Sequence, residues 1–161
     1  MAKIEFKGME AYQLKLSQLS ALAEERVIGS AVYDGAEIAA DIIREEISAL
    51  PTDESWGSPK WPKMGPSQEE KDGLLESFGI TPIRSDNGFI NVKLGFDGYQ
   101  GKPTRRYPRG KPNQMIARSV ASGTTFMFGH PFMKRGIRKA KKAAEAAMEH
   151  RVNEEINKIM K

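Results

Sequence analysis

The sequence predicts an α+β fold in which a small antiparallel β-sheet packs against two long helices, at about 24–50 and 132–160. Three observations carry that expectation. Apolar residues recur at helical spacing in both end thirds of the chain, and Asn87-Gly88 sits between two β-type runs. A long Pro-, Gly- and Trp-bearing loop at 51–73 separates the first helix from the strands.

Lys3-Ile4-Glu5-Phe6-Lys7 alternates polar and apolar and reads as a short half-buried strand ended by Gly8. Tyr12, Leu16, Leu19 and Ala23 then fall at helical spacing, so a first helix covers roughly Met9 to Leu22. The next helix has a fuller stripe, with Ile28, Val32, Gly35, Ala39, Ile42, Ile43, Ile47 and Leu50 on one side, and Pro51 stops it.

The loop from Pro51 to Gly73 carries four prolines, and a loop above about 15 residues in a small domain is usually functional or disordered. Trp56 and Trp61 within it either fold back over the domain's own core or anchor an interface. Phe78 to Arg84 and Phe89 to Phe96 then flank Ser85-Asp86-Asn87-Gly88. Asn-Gly is a strong local hairpin signal, because both residues tolerate positive φ.

A mobile basic loop is expected from Asp97 to Pro112, with Lys102, Arg105, Arg106, Arg109 and Lys111 interleaved with Tyr99 and Tyr107. Such a stretch can track a phosphate backbone and stack bases, or it can be a solvated loop that meets an acidic neighbour. Asn113 after Pro112 can cap a helix, Met115, Ile116, Ser119 and Val120 recur on it, and Gly123 can close it in the left-handed conformation.

The segment Phe126-Met127-Phe128-Gly129-His130-Pro131-Phe132-Met133 is far more apolar than a solvated connector, so it is expected in a core or against a neighbour. Pro131 suits a helix start, and the helix from Phe132 to about Met160 would span near 45 Å at the α-helical rise. Met133, Ile137, Ala140, Ala144, Met148, Val152, Ile156 and Ile159 line it, and its small residues predict close packing on Ile28 to Leu50. Lys134, Arg135, Arg138 and Lys139 crowd its first turns, where the helix dipole disfavours cations. That conflict predicts an acidic partner: Glu24, Glu45 and Glu46, or another copy.

At 161 residues and 39% apolar composition the chain suits one domain, 1–161, with a modest core. Zero cysteines exclude disulfides and thiolate chemistry. No apolar run has signal-peptide or membrane-span length, so a soluble product without membrane contact is expected. Residues 1–80 carry 8 Lys and Arg against 15 Asp and Glu, a net of −7. Residues 81–161 carry 17 against 6, a net of +11, which gives the chain's +4. Such a split finds its outlet within the fold, between head-to-tail copies, or on an acidic partner such as nucleic acid.

Catalysis finds no minimal parts. His130 and His150 are the only histidines, and there is no His-Glu-x-x-His, Gly-x-Ser-x-Gly or phosphate-cradling loop. His130 before Pro131 reads as a turn residue, and a non-enzyme without metal or cofactor is expected.

The order of these parts resembles the siphophage tail-completion family, the small head-tail joining proteins also described as minor tail components. The resemblance spans the chain: Ile4 to Gly8, Leu14 to Leu22, Ile28 to Thr52, Gly73 to Ser77, Phe78 to Phe96, Gly123-Thr124 and Pro131 to Lys134. Ala121 and Ser122 stand where the family often has an acidic residue and an aromatic, so no carboxylate role carries over to that point.

The resemblance implies a structural virion protein that joins or completes the tail at the neck as a homo-oligomeric ring. A hexamer is among the orders it admits. It implies contacts to the head connector and to tail tube or tail terminator proteins, passing contact with phage DNA, and residence in host cytoplasm during assembly. The candidate interface residues are Trp56, Trp61, Arg105, Arg106, Arg109, Phe126, Met127, Phe128, Pro131, Phe132, Lys134, Arg135 and Arg138. The alternative is a basic nucleic-acid-binding accessory protein, resting on Lys102 to Lys111 and Lys134 to Lys142, and a toxin-like or regulatory α+β module is a third.

Overall fold

A computed structural model describes residues 21–159. The expected strand at 3–7 and residues 9–20 of the expected first helix lie outside the described residues. The elements run α1 (Ala21–Ser48), α2 (Gln68–Ser77), β1 (Phe78–Ile80), β2 (Arg84–Asp86), β3 (Phe89–Asn91) and β4 (Leu94–Phe96). Then follow β5 (Tyr99–Gln100), β6 (Lys111–Pro112), α3 (Asn113–Ser122) and α4 (Phe132–Ile159). The fold is α+β as expected, with two 28-residue helices and strands paired two by two as β1–β4, β2–β3 and β5–β6.

The hairpin forms where Asn-Gly places it, with Asn87 at φ 53° and Gly88 at φ 80°. Antiparallel pairing joins Arg84 to Asn91 and Asp86 to Phe89. Pro82 has no N–H to give a ladder, which accounts for the break between β1 and β2. Thr81 bridges the gap, donating its N–H to the Lys93 carbonyl at 2.8 Å and accepting the Lys93 N–H on its hydroxyl at 2.8 Å.

The described chain divides into two compact units, neither of them a contiguous stretch. The first takes its described residues from 1–39, 80–94 and 140–161. In it Val27 and Ala31 of α1 form one buried cluster with Met148, Val152 and Ile156 of α4, and Ile28 packs against its side. Gly35 lets the two helices approach: a Cβ there overlaps Met148 Cε and lies 2.7 Å from Met148 Cγ. Arg151 of α4 clasps Asp34 of α1 through two hydrogen bonds of 2.7 and 3.2 Å. Ile83 and Ile90 of the hairpin segment lie 3.3 and 3.9 Å from the Cβ position of Gly29.

The second unit comprises 40–79 and 95–139. Ile43, Ile47, Leu50, Leu74, Val120 and Phe132 are buried in it. The Phe96 ring meets Phe78 at 5.1 Å and the edge of Phe132 at 6.1 Å, a geometry that adds to burial alone. Glu46 is 6% exposed and accepts from both Arg135, at 2.9 Å, and Lys139. The Lys139 bond, then that of Arg135, holds its carboxyl below the usual range despite burial, and Glu46 is thus an acidic partner within the fold for two of the helix's first cations; Lys134 and Arg138 are exposed without an ion pair among the described residues.

Four local expectations are corrected. The break expected between a first helix ending near Leu22 and a second beginning near Glu24 is absent, because α1 runs unbroken from Ala21. The loop expected to reach Gly73 ends at Ser67, where α2 begins on a capping box. Ser67 Oγ accepts the Glu70 N–H at 3.1 Å and Glu70 accepts the Ser67 N–H at 3.0 Å. Asn113 does not cap α3. Its side chain is buried and donates to the Asp97 carbonyl at 2.7 Å, leaving Pro112 at the cap position without a side-chain bond. The basic stretch at 97–112 is not an open loop, since β5 and β6 pair Tyr99 with Pro112 and Gln100 with Lys111. Gly123 closes α3 at positive φ, 77°, but with ψ 170° rather than the left-handed helical value, and its N–H donates to the Ser119 carbonyl at 2.8 Å.

Candidate interaction surface

Within the second unit the Trp-bearing loop is closed on itself by one carboxylate. Asp53 accepts the Ser55 N–H on Oδ1 at 2.9 Å and the Met64 N–H on Oδ2 at 2.8 Å, while its own N–H reaches the Pro66 carbonyl at 2.9 Å. The Met64 bond, then Ser55, pulls the carboxyl down to about 2. At the far end Ser58 and Trp61 exchange backbone bonds of 2.9 and 3.1 Å around Pro59. An 11-residue excursion is thus pinned at its neck and at its tip.

The loop is also laced to the connector between α3 and α4. Lys63 donates its N–H to the Phe126 carbonyl at 2.8 Å and accepts the Phe128 N–H at 3.0 Å. His130 Nε2 lies 2.6 Å from the Met64 carbonyl, so Met64 is held by its N–H through Asp53 and by its carbonyl through His130. Gly57, at φ 68°, is required because a Cβ there overlaps the Phe126 carbonyl oxygen. The connector is tied in turn, with Thr124 and Met127 bonding each other and the His130 N–H reaching the Val120 carbonyl at 2.8 Å.

This hydrogen-bonded support leaves its largest apolar groups in solvent. Trp56 is 96% exposed and Trp61 75%, and Met64, Phe126 and Phe128 are each at least half exposed. The tryptophans therefore do not fold back over the core. Two tryptophans offer roughly 400 Å² of apolar surface, about 10 kcal/mol of gross burial before association costs. Isolated exposed apolar residues need no account, but five on two segments laced to each other make this the candidate interaction surface.

The remaining candidates separate cleanly. Met127 and Phe132 are buried and serve the core of their own unit. Arg135 is committed to Glu46, whereas Pro131, Lys134 and Arg138 are exposed. Arg105, Arg106 and Arg109 are exposed on the β5–β6 arm. Asp53, Lys63 and His130 build the support. Sequence reasoning passed over the first two, and read His130 as a turn residue without its bond to Met64.

Among the described residues no cluster of three His, Asp or Glu is placed to hold a metal, and no helix is long and apolar enough to cross a membrane. No protein-family model, curated protein or solved structure matches the chain.

Proposed function

We propose that this protein is a structural component of a tailed-phage virion that joins or completes the tail at the head-tail interface, assembling as a ring of identical copies. The observation that carries the reading is the braced surface bearing Trp56, Trp61, Met64, Phe126 and Phe128. Its apolar anchors are held before any partner arrives, which lowers the ordering cost of association. Tryptophan and arginine are also the residues that dominate interface energetics. The order of motifs that resembles the tail-completion family supports the same reading.

The charge split gives identical copies a way to meet. Cations of the second half that have no ion-pair partner among the described residues, Lys134 and Arg138 among them, can meet acidic residues of another copy in a heterologous contact, which closes into a ring when the rotation allows. The partners in this reading are the head connector and the tail tube or tail terminator.

The test is light scattering at low and high salt, alone and with purified connector or tail tube. Oligomers that weaken with salt, and co-assembly with either partner, are expected. A monomer at every salt concentration that co-assembles with neither refutes the reading.

A further inference from the structure

From Gly98 to Ala144 the chain has no acidic residue in 47 positions and carries 12 Lys and Arg. Five of these cations fall within ten residues, 102–111, on the arm that β5 and β6 close. None of the five has an ion-pair partner among the described residues, and all are exposed. Elsewhere the protein does neutralise its buried and half-buried charge, at Glu46 and at Arg151. The arm is left unneutralised.

Its shape is set in advance. Gly110, at φ 90°, packs so tightly on the arm's opposite side that a Cβ lies 2.6 Å from the Gln100 carbonyl oxygen. At the tip the Thr104 N–H reaches the Tyr107 carbonyl at 2.9 Å, and the Tyr107 N–H reaches the Thr104 hydroxyl at 3.0 Å. Arg105 and Arg106 occupy the two positions inside that closure. Tyr107 is not free to stack on a base: its hydroxyl lies 3.5 Å from Met115 Sδ, and the Arg106 guanidinium sits 5.7 Å over its ring. Base stacking thus loses one of its two rings, and phosphate contact remains.

We infer that the 102–111 arm is a sequence-independent contact site for the phosphate backbone of double-stranded DNA. Duplex DNA is favoured over a single strand because a compact cation cluster gains most from the denser polyanion, and released counterions drive the contact. The site stands whether or not the protein forms a ring.

The experiment is fluorescence anisotropy of a labelled 30-base-pair duplex of arbitrary sequence, titrated with the full chain between 50 and 200 mM salt. If four phosphates are met, affinity falls about 150-fold over that range, a log–log slope near −3.6. Arg105→Ala/Arg106→Ala/Arg109→Ala reduces the fall to roughly 10-fold or less. Arg84→Ala/Arg118→Ala, which removes exposed cations elsewhere, leaves the slope within about one unit of wild type. A thermal melt of each variant checks that it is folded. Any of three results overturns the inference: no binding at 50 mM salt, a folded triple variant with an unchanged slope, or tighter binding to a single strand than to the duplex. So does a triple variant that loses self-association when the wild type does not bind the duplex, which makes the arm a protein contact.

Discussion

The carboxylate of Asp53 holds the backbone N–H of Met64 at 2.8 Å across 11 residues of chain. One side chain thereby fixes the neck of the loop that carries both tryptophans, and its pKa near 2 records how strongly the ionised form is preferred. The sign follows from the direction of the shift. A depressed carboxyl stabilises the loop above its ordinary value of 3.8 and loses that contribution as pH falls through about 2. Tryptophan fluorescence anisotropy should therefore hold steady from neutral pH to about 4 and fall toward pH 2. Asp53→Asn, which can keep only one of the two accepted bonds at full strength, should show reduced anisotropy already at neutral pH.

Glu46 should be the costliest single carboxylate to neutralise. Its partners Arg135 and Lys139 are partly hydrated, with side-chain exposures of 43% and 62%, so losing the pair falls between the exposed and buried cases. Glu46→Gln should cost about 2 kcal/mol, against roughly 1 for a surface pair and 3–5 for a buried one. In a chain of this size that lowers Tm by about 4–8 °C, readable by circular dichroism. Because the Glu46 carboxyl is held below its ordinary 4.5, the stabilisation is present above that value and fades as pH drops beneath it.

Gly35→Ala tests the close approach of the helices within the first unit. Helix propensity alone favours alanine by about 1 kcal/mol. The new Cβ meets Met148 at Cε and Cγ, and overpacking of this kind costs about 1–3 kcal/mol, so net destabilisation of about 1 kcal/mol is expected in urea melts. Combining it with Met148→Ala should cost at least about 1 kcal/mol less than the sum of the singles, since the alanine methyl enters the space Met148 leaves.

These sites were not equally legible in sequence. The two long helices announced themselves through apolar stripes, Pro51 and Pro131, and the hairpin through Asn87-Gly88. The phase of the α1 stripe was shifted: Ile28, Val32 and Ile42 are only half buried, while Val27, Ala31, Ala36 and Ala40 are buried, each within its own unit. Close helix approach selects small residues at the contact and pushes β-branched ones to its flank, which a count of bulky side chains misreads. The start of α2 was readable in Ser67 and Glu70, a capping-box pair masked by the prolines and glycines before it. Of the Asp53 clasp only the local Asp53–Ser55 turn had a signature; the long-range half had none, because any residue but proline at position 64 supplies the same N–H. The bonds from Lys63 to Phe126 and Phe128 were likewise not legible, since they join residues 63 and 65 positions apart in sequence.

Trp56→Ala and Trp61→Ala should leave the monomer intact. Both side chains are exposed, so each substitution should change unfolding free energy by less than about 0.5 kcal/mol. If they anchor the proposed interface, each substitution should weaken association, where a central aromatic anchor is commonly worth 2 kcal/mol or more, a roughly 30-fold loss of affinity.

The most direct test of the proposed interface is light scattering of wild type and Trp56→Ala/Trp61→Ala at low salt, alone and with connector or tail tube. A wild-type oligomer that recruits a partner is expected, with a double variant of wild-type Tm that has lost self-association, partner binding or both. A double variant that assembles and binds like wild type contradicts the proposed interface.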